Sequence, residues 1–457
     1  MTSIFDFSSY LLSANLLPPT LNANSNEANH NPQFEVTVLS GGYTNFTARV
    51  TFPEPISLAA ANSSTRTYES VILKHAPPHF ATDSTIPMSV ARQATEARAL
   101  ELIMGAPIRF DQDDPVGGIV EPMKAVKAVL DRYPIIQVPA VIHYDTEKNV
   151  LWLDDLGDLK SVADALAASS SDAGSGEDPT PESALQELAT QLGSFLADFY
   201  QASKTLPAEL VDRLTALSNV YMSETFEYLV NSTRDALDGA PGIDEKEKEG
   251  LVKRFEALLT DTQMRKAGQR AERVALGIVH GDSIQTDDEE NPCLGMVDFW
   301  PGNVLVNPDW TKCGLIDWEY FGMSDDASEL GMFLAHIHII NFRPSTSPEG
   351  QERLGKFMSA LFQAYSRHSP SKARSKGFQR RFLISHGREL VNGIGMYKDL
   401  GAKGSQNVME AGVRSLRAAG PSSDELNLEA LWEESDESGG IWLSEILSSL
   451  GFLVPET

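Results

Sequence analysis

At 457 residues and 42% hydrophobic content, the chain is long for one core and apolar enough to fill two. A formal net charge of −27 argues against nucleic acid and anionic membrane as partners, since both require a basic surface. Two cysteines, Cys293 and Cys313, are too few for a disulfide framework, the N-terminus lacks the basic region and cleavage site of a secretory signal, and the longest apolar run, LGMFLAHIHII (330–340), is too short to span a bilayer, so a cytoplasmic protein is expected.

Residues 1–16 pattern as a short amphipathic helix, followed by a polar, turn-rich connector, NANSNEANHNPQ (22–33). FEVTVLSGGYTNFTARVTF (34–52) reads as strand, glycine turn and strand, and the β-branched alternation of TYESVILKHA (67–76) gives a third strand. In ARQATEARALELIMG (91–105), Ala94, Ala97, Leu100 and Ile103 recur at helical spacing before a glycine stop. VPAVIHYDTEKNVLWLDDLG (138–157) reads as a hairpin. Beyond it, AASSSDAGSGEDPTPES (167–183) is acidic and of low complexity. Helical patterns then dominate, at 185–203, 208–236, 245–261 and after residue 325, with one β-rich patch among them, VALGIVHGD and NVLVNPDWTKCGLIDWEY.

Four features line up in an order with a mechanical meaning. Gly41 and Gly42 sit in a strand–turn–strand, where glycine lets backbone N–H groups approach phosphate oxygens. Lys74 ends the strand VILK, and Glu96 on the next helix is placed to hold it. Asp298 and Asn303 are five positions apart in DFWPGN, the D-x-x-x-x-N spacing in which an aspartate accepts a hydroxyl proton and an asparagine ligates Mg2+. Asp317 follows the strand GLI, and its carboxylate suits a hard cation. Singly, each has a plainer reading: a turn, surface charges, a chance spacing, a helix cap. Their order is what chance does not readily supply.

LSGGYTNF, VILK, ARQATEARALELI, NVLWLDDLG, VHGD…DFWPGNVLV and GLIDWEYFGMSDDASELG together resemble the aminoglycoside phosphotransferase/choline kinase branch of the protein-kinase-like fold, especially the fungal phosphotransferase enzyme family, over about Leu39 to Gly331. The resemblance implies an α+β, two-lobed fold, so that the N-terminal helix and flexible connector (1–33) are followed by a small antiparallel nucleotide-binding lobe (34–157) and a larger, mainly helical lobe (158–457) with flexible insertions near 167–183 and 283–297. It implies ATP and Mg2+ as cofactors and a small-molecule hydroxyl as acceptor. Carried over by position, Gly41 and Gly42 cover the phosphates, Lys74 paired with Glu96 contacts them, and Leu151, Trp152, Leu153 and Asp154 (with Asp155) form the hinge that meets adenine through backbone groups. Asp298 is then the catalytic base, and Asn303 and Asp317 hold the metal.

The family's catalytic loop runs H-G-D-x-x-x-x-N without a break, whereas here 16 residues separate VHGD (279–282) from its continuation. Asp282 stands 21 positions before Asn303, so Asp298 is expected to be the base and Met296 takes the place of the family's histidine. The acidic stretch is either a surface loop or an intron read through in frame. The clean repair of VHGDFWPGNVLV on its removal favours the second, and peptides spanning 283–297 would exclude it. Glu329 stands where the family usually has an anchoring aspartate. His336 and His338 fall on different helix faces and are expected to pack rather than bind metal, while Trp300 and Trp318 flank the expected site. No H-R-D, D-F-G and A-P-E set marks a protein kinase. The expected activity is transfer of the γ-phosphoryl group of MgATP to a small-molecule hydroxyl, with a catalytically impaired nucleotide-binding module as the alternative.

Overall fold

The β-branched run of the third expected strand becomes the centre of a five-stranded antiparallel sheet. Its strands are β1 (Glu35–Leu39), β2 (Phe46–Ala59), β3 (Thr65–His75), β4 (Val141–Asp145) and β5 (Val150–Asp154), in spatial order β1-β2-β3-β5-β4. This computed structural model describes the chain except residues 1–4, 15–16, 18–33, 41, 60–64, 107, 110–118, 121–123, 169–181, 205–226, 260–292, 370–372, 374, 423–424, 432–439 and 453–457. Gly41, His280, Asp282 and residues 283–292 thus lie outside the described residues, as do the 22–33 connector and most of 167–183.

Helix α1 (Phe7–Ser13) is begun by Asp6, whose carboxylate accepts the Ser9 N–H at 3.0 Å. Its Phe7, Tyr10 and Leu11 share a core with Val50, Val71, Leu73, Val150 and Trp152 on one face of the sheet. Burying Phe7 and Leu11 contributes roughly 1.5–3 kcal/mol each. Strand alternation then sends Lys74, next to Leu73, to the opposite face. Helix α2 (Ala91–Ile103) runs to the glycine stop, where Gly105 takes a φ of +74°. Unlike the apolar stripe expected for it, α2 is buried on nearly every side, including Arg92, Gln93 and Glu96. These polar side chains are buried because each finds a partner.

The chain divides into two compact units. Met1–Lys127, Val138–Gly157 and Asp317–Tyr320 make up the first, and Ala128–Gln137, Asp158–Ile316 and Phe321–Thr457 the second. The second is largely helical, and its helices start where the sequence offers caps. Asp325, Ser347 and Ser375 accept the N–H groups of Ser328, Gly350 and Phe378 at the heads of Asp326–Asn341, Pro348–His368 and Lys376–Gly393. Glu182–Ser203 packs on Pro348–His368, and Asp326–Asn341 on Lys376–Gly393. The β-rich patch gives Val304–Val306 and Cys313–Leu315, which pair antiparallel, with Ile136–Gln137 and Lys160–Ser161 at the edges. Of the acidic interruption, residues 293–297 are described and are built into this unit. Cys293–Gly295 is a buried strand paired with Gly322–Ser324, and Met296 is buried beside it. Among the described residues, no helix is long and apolar enough to cross a membrane.

Candidate active site

In the first unit, β3 ends by delivering Lys74 into a cluster of carboxylates. The Lys74 Nζ lies 2.7 Å from Glu96 Oε2 and also donates to Asp317 Oδ1. Glu96 is held in turn by the Gln93 amide at 3.2 Å and the Trp318 N–H at 3.4 Å. Burial opposes the Lys74 ammonium, but Asp317, Glu96 and Glu319 together outweigh it and raise its pKa above the ordinary lysine value. Burial pushes the Glu96 carboxyl up to about 7 against the pull of Lys74. Asp317 itself adopts a φ of +67°, a left-handed conformation that costs a non-glycine residue of order 1–3 kcal/mol and is characteristic of functional sites. The first unit thus brings Lys74, Glu96 and Asp317 together.

A second layer of this cluster was not singled out in the sequence. Glu319, two residues beyond Asp317, accepts from the Thr44 hydroxyl at 2.8 Å and the Asn45 amide at 2.6 Å. Arg92 donates to Asn45 Oδ1 at 3.1 Å and to the backbone carbonyls of Ser89, Thr44 and Pro77 at 2.6–3.0 Å. It lies 3.4 Å from Glu319. Burial pushes the Glu319 carboxyl upward, with Asp317 adding to the push and Lys74 and Arg92 opposing it. The available signals were Asn45 closing the glycine turn and a glutamate in the same short loop as Asp317.

Leu151–Asp154 occupy β5, which is paired on both sides, with Leu151 opposite Lys74. Leu151, Trp152 and Leu153 are buried, and the Trp152 indole N–H donates to Tyr10 Oη at 3.0 Å on the α1 face. Asp154 donates its own N–H to the Ala140 carbonyl at 3.0 Å. Asp155, just past the strand, accepts from Arg49 and Ser70.

The D-x-x-x-x-N loop belongs to the second unit. Pro301–Asn303 forms a 3-10 turn, and the Asn303 amide reaches back to the Asp298 carbonyl at 3.0 Å while its own carbonyl accepts the Ile316 N–H at 3.0 Å. The loop's entry is fixed by Glu329. Its Oε1 accepts the Val297 N–H at 2.9 Å and its Oε2 the Tyr200 hydroxyl at 2.8 Å. Burial pushes the Glu329 carboxyl up, against the donors that surround it. A β-carbon on Gly295 would lie 2.5 Å from the Glu329 carboxyl carbon, so only glycine admits this approach. Val297 has a φ of +67° at the position where the H-G-D pattern carries glycine. The buried Arg388 guanidinium has its pKa brought down to about 10 by burial, with Asp298 opposing the shift.

His336 and His338 are buried packing residues. The His336 ring stands 5.3 Å from that of Trp300 and bonds Tyr397 Oη at 2.9 Å, while His338 stacks on His386. Trp318 is buried as well. Asp317, in the first unit, offers a carboxylate oxygen, the ligand type that Mg2+ prefers, while Asn303 belongs to the second unit.

The model of the phosphotransferase enzyme family matches residues 119–371, more than half of the chain. The chain belongs to this family, and it is an enzyme of the small-molecule kinase class. It is similar to the 4-hydroxytryptamine kinase of Psilocybe cubensis, 24% identical over 347 residues that cover 72% of this chain and 74% of the relative. The 4-hydroxytryptamine kinase of Psilocybe cyanescens is 22% identical over 317 residues, 66% and 67% of the two chains. A solved ethanolamine kinase of Plasmodium vivax superposes with a TM-score of 0.40 at 11% identity, over 85% of this chain and 82% of that one.

Proposed function

We propose that the chain transfers the γ-phosphoryl group of ATP, with Mg2+, to a hydroxyl group of a small molecule. The observation that carries this reading is Lys74, a buried ammonium held between Glu96 and Asp317 on the sheet face away from α1. In this reading Gly41 and Gly42 cover the phosphates and Lys74 neutralises their charge, while adenine lies past the end of β5 rather than along Leu151–Asp154, whose backbone is already paired on both sides. Asn303 and Asp317 would hold Mg2+, which when bound neutralises charge on the β- and γ-phosphates.

Asp298 accepts the proton of the acceptor hydroxyl as its oxygen bonds to the γ-phosphorus. The bond from that phosphorus to the bridging oxygen breaks, and ADP leaves. Glu329, by fixing the backbone at Val297, holds Asp298 in place for this step. Rate comes from positioning and charge neutralisation, without a covalent intermediate. The named activity of the two fungal relatives supports starting with hydroxylated aromatic amines as acceptors.

The test is ADP release by the full chain over 4-hydroxytryptamine, ethanolamine, choline, aminoglycosides and sugars, with Asp298→Asn as the control. Turnover on at least one acceptor, cut by about 10²–10⁴-fold in Asp298→Asn and retained in Asp282→Ala, is expected. ATP binding with no release above the control across the panel would establish the impaired binding module instead. Loss in Asp282→Ala alone would move the base to Asp282.

A further inference from the structure

Two stretches of chain 274 positions apart meet at one buried carboxylate. Glu319 is 1% exposed, and its two oxygens are engaged by the two residues that close the glycine turn, Thr44 on Oε1 and Asn45 on Oε2. Asn45 is bonded at both ends of its amide. Its nitrogen donates to Glu319, and its oxygen accepts from the Arg92 Nε on α2. A side chain gripped at both ends has one rotamer left, and it transmits the position of its partners to its own backbone. Glu319 in turn lies two residues along the chain from Asp317, the residue that holds Lys74.

We propose that Glu319, Asn45 and Arg92 are positioning residues that tie the glycine turn to the Asp317 segment, so that the turn is already shaped for nucleotide phosphates. This rests on the nucleotide-site reading of Gly42 and Lys74. The chemistry favours positioning over bulk stability. Apolar residues of similar volume usually fill a buried site at no loss of stability, whereas a charged and doubly bonded network specifies one geometry. Fixing a loop in its bound form raises affinity because the ordering cost is met in advance. Both Glu319 oxygens already accept donors from the turn, which assigns this carboxylate to the loop rather than to a cation.

Calorimetric titration of ATP into the full chain decides the matter, run on the unaltered protein, Asn45→Ala, Glu319→Gln and the double variant, with Mg2+ and with EDTA. Each single variant is expected to bind ATP about tenfold more weakly under both conditions, and the double variant no more than about twofold more weakly than the worse single, as for two members of one network. An Asn45→Ala protein that melts lower but binds ATP as tightly as the unaltered chain would reduce the network to a structural one and overturn the proposal. A loss in Glu319→Gln seen only with Mg2+, with Asn45→Ala silent, would overturn it in favour of a metal-facing role. Should Glu319→Gln fail to fold, Asn45→Ala decides alone, since it leaves the Arg92–Glu319 pair intact. Failure of the unaltered chain to bind ATP would overturn the nucleotide-site reading itself, and is distinguishable because it precedes any substitution.

Discussion

Glu329 accepts the backbone N–H of Val297 at 2.9 Å, one residue ahead of Asp298. The bond holds a residue whose backbone would not choose its conformation unaided. Glu329→Ala would leave that N–H and the Tyr200 hydroxyl buried without an acceptor, at a cost of about 2–4 kcal/mol. Glu329→Asp keeps the charge but withdraws the oxygens by one methylene, and is expected to keep the fold while lowering turnover. Urea melts combined with ADP release separate the two effects. Equal turnover in Glu329→Asp and the unaltered chain would show that the bond does not position Asp298.

Val297 occupies the left-handed region at φ +67°, which is costly for a β-branched side chain. Val297→Gly removes that cost and restores the residue of the H-G-D pattern. It is expected to stabilise the chain by about 1 kcal/mol, despite the greater entropy glycine loses on folding. A urea midpoint that falls would show that packing of the valine side chain outweighs the strain.

Removing the ammonium at Lys74 leaves Glu96 and Asp317 without their shared cation. Lys74→Met is expected to lose most ATP affinity and to melt lower at pH 8 than at pH 6. The sign follows from Glu96, whose folded pKa of about 7 is already raised by burial and rises further without Lys74. A carboxyl raised in the folded state binds a proton there that the unfolded chain has released. Its contribution is therefore greatest at low pH and is lost as pH climbs through the folded value. Melts of the variant and the unaltered chain at pH 6, 7 and 8 read the difference, and parallel profiles would count against it.

Acid should weaken the second unit through its buried histidines. Burial holds His336 near pKa 4, with Arg388 adding to the shift, and burial holds His386 near 3. Both stay neutral in the fold while the unfolded chain protonates them below about 6.5. Stability is therefore full above pH 6.5 and falls toward pH 4, by about 1.4 kcal/mol per pH unit for each histidine. His386→Asn should flatten the slope between pH 6 and 4.5 in urea melts. An unchanged slope would mean that this histidine is not the one titrating.

The sheet, the glycine turn and the Lys74–Glu96 pair were legible because each rests on local pattern: alternation over β3, a helix with a glycine stop, a lysine at a strand end. Glu329 was legible as a position but not as a pair with Gly295, since nothing in either residue type announces a close approach between them. Arg92 was not legible, and Glu319 only as a carboxylate two residues from Asp317 with nothing to mark it as buried. A lone arginine on a helix and a lone glutamate after a tryptophan carry the signature of surface residues, and only the fold reveals that they are buried against each other. The strain at Val297 was equally hidden, because backbone conformation belongs to what holds a residue rather than to the residue.

The first unit is not finished where its sheet ends. Its buried cations, Lys74 and Arg92, are written before residue 100, but two of the carboxylates that balance them arrive with Asp317–Tyr320. During synthesis, therefore, the lobe that emerges first from the ribosome waits through more than 150 further residues with an arginine and a lysine short of their counter-charges. A fragment ending at Gly157 would be caught permanently in that condition, and the N-terminal lobe comes to rest only after most of its neighbour has been translated.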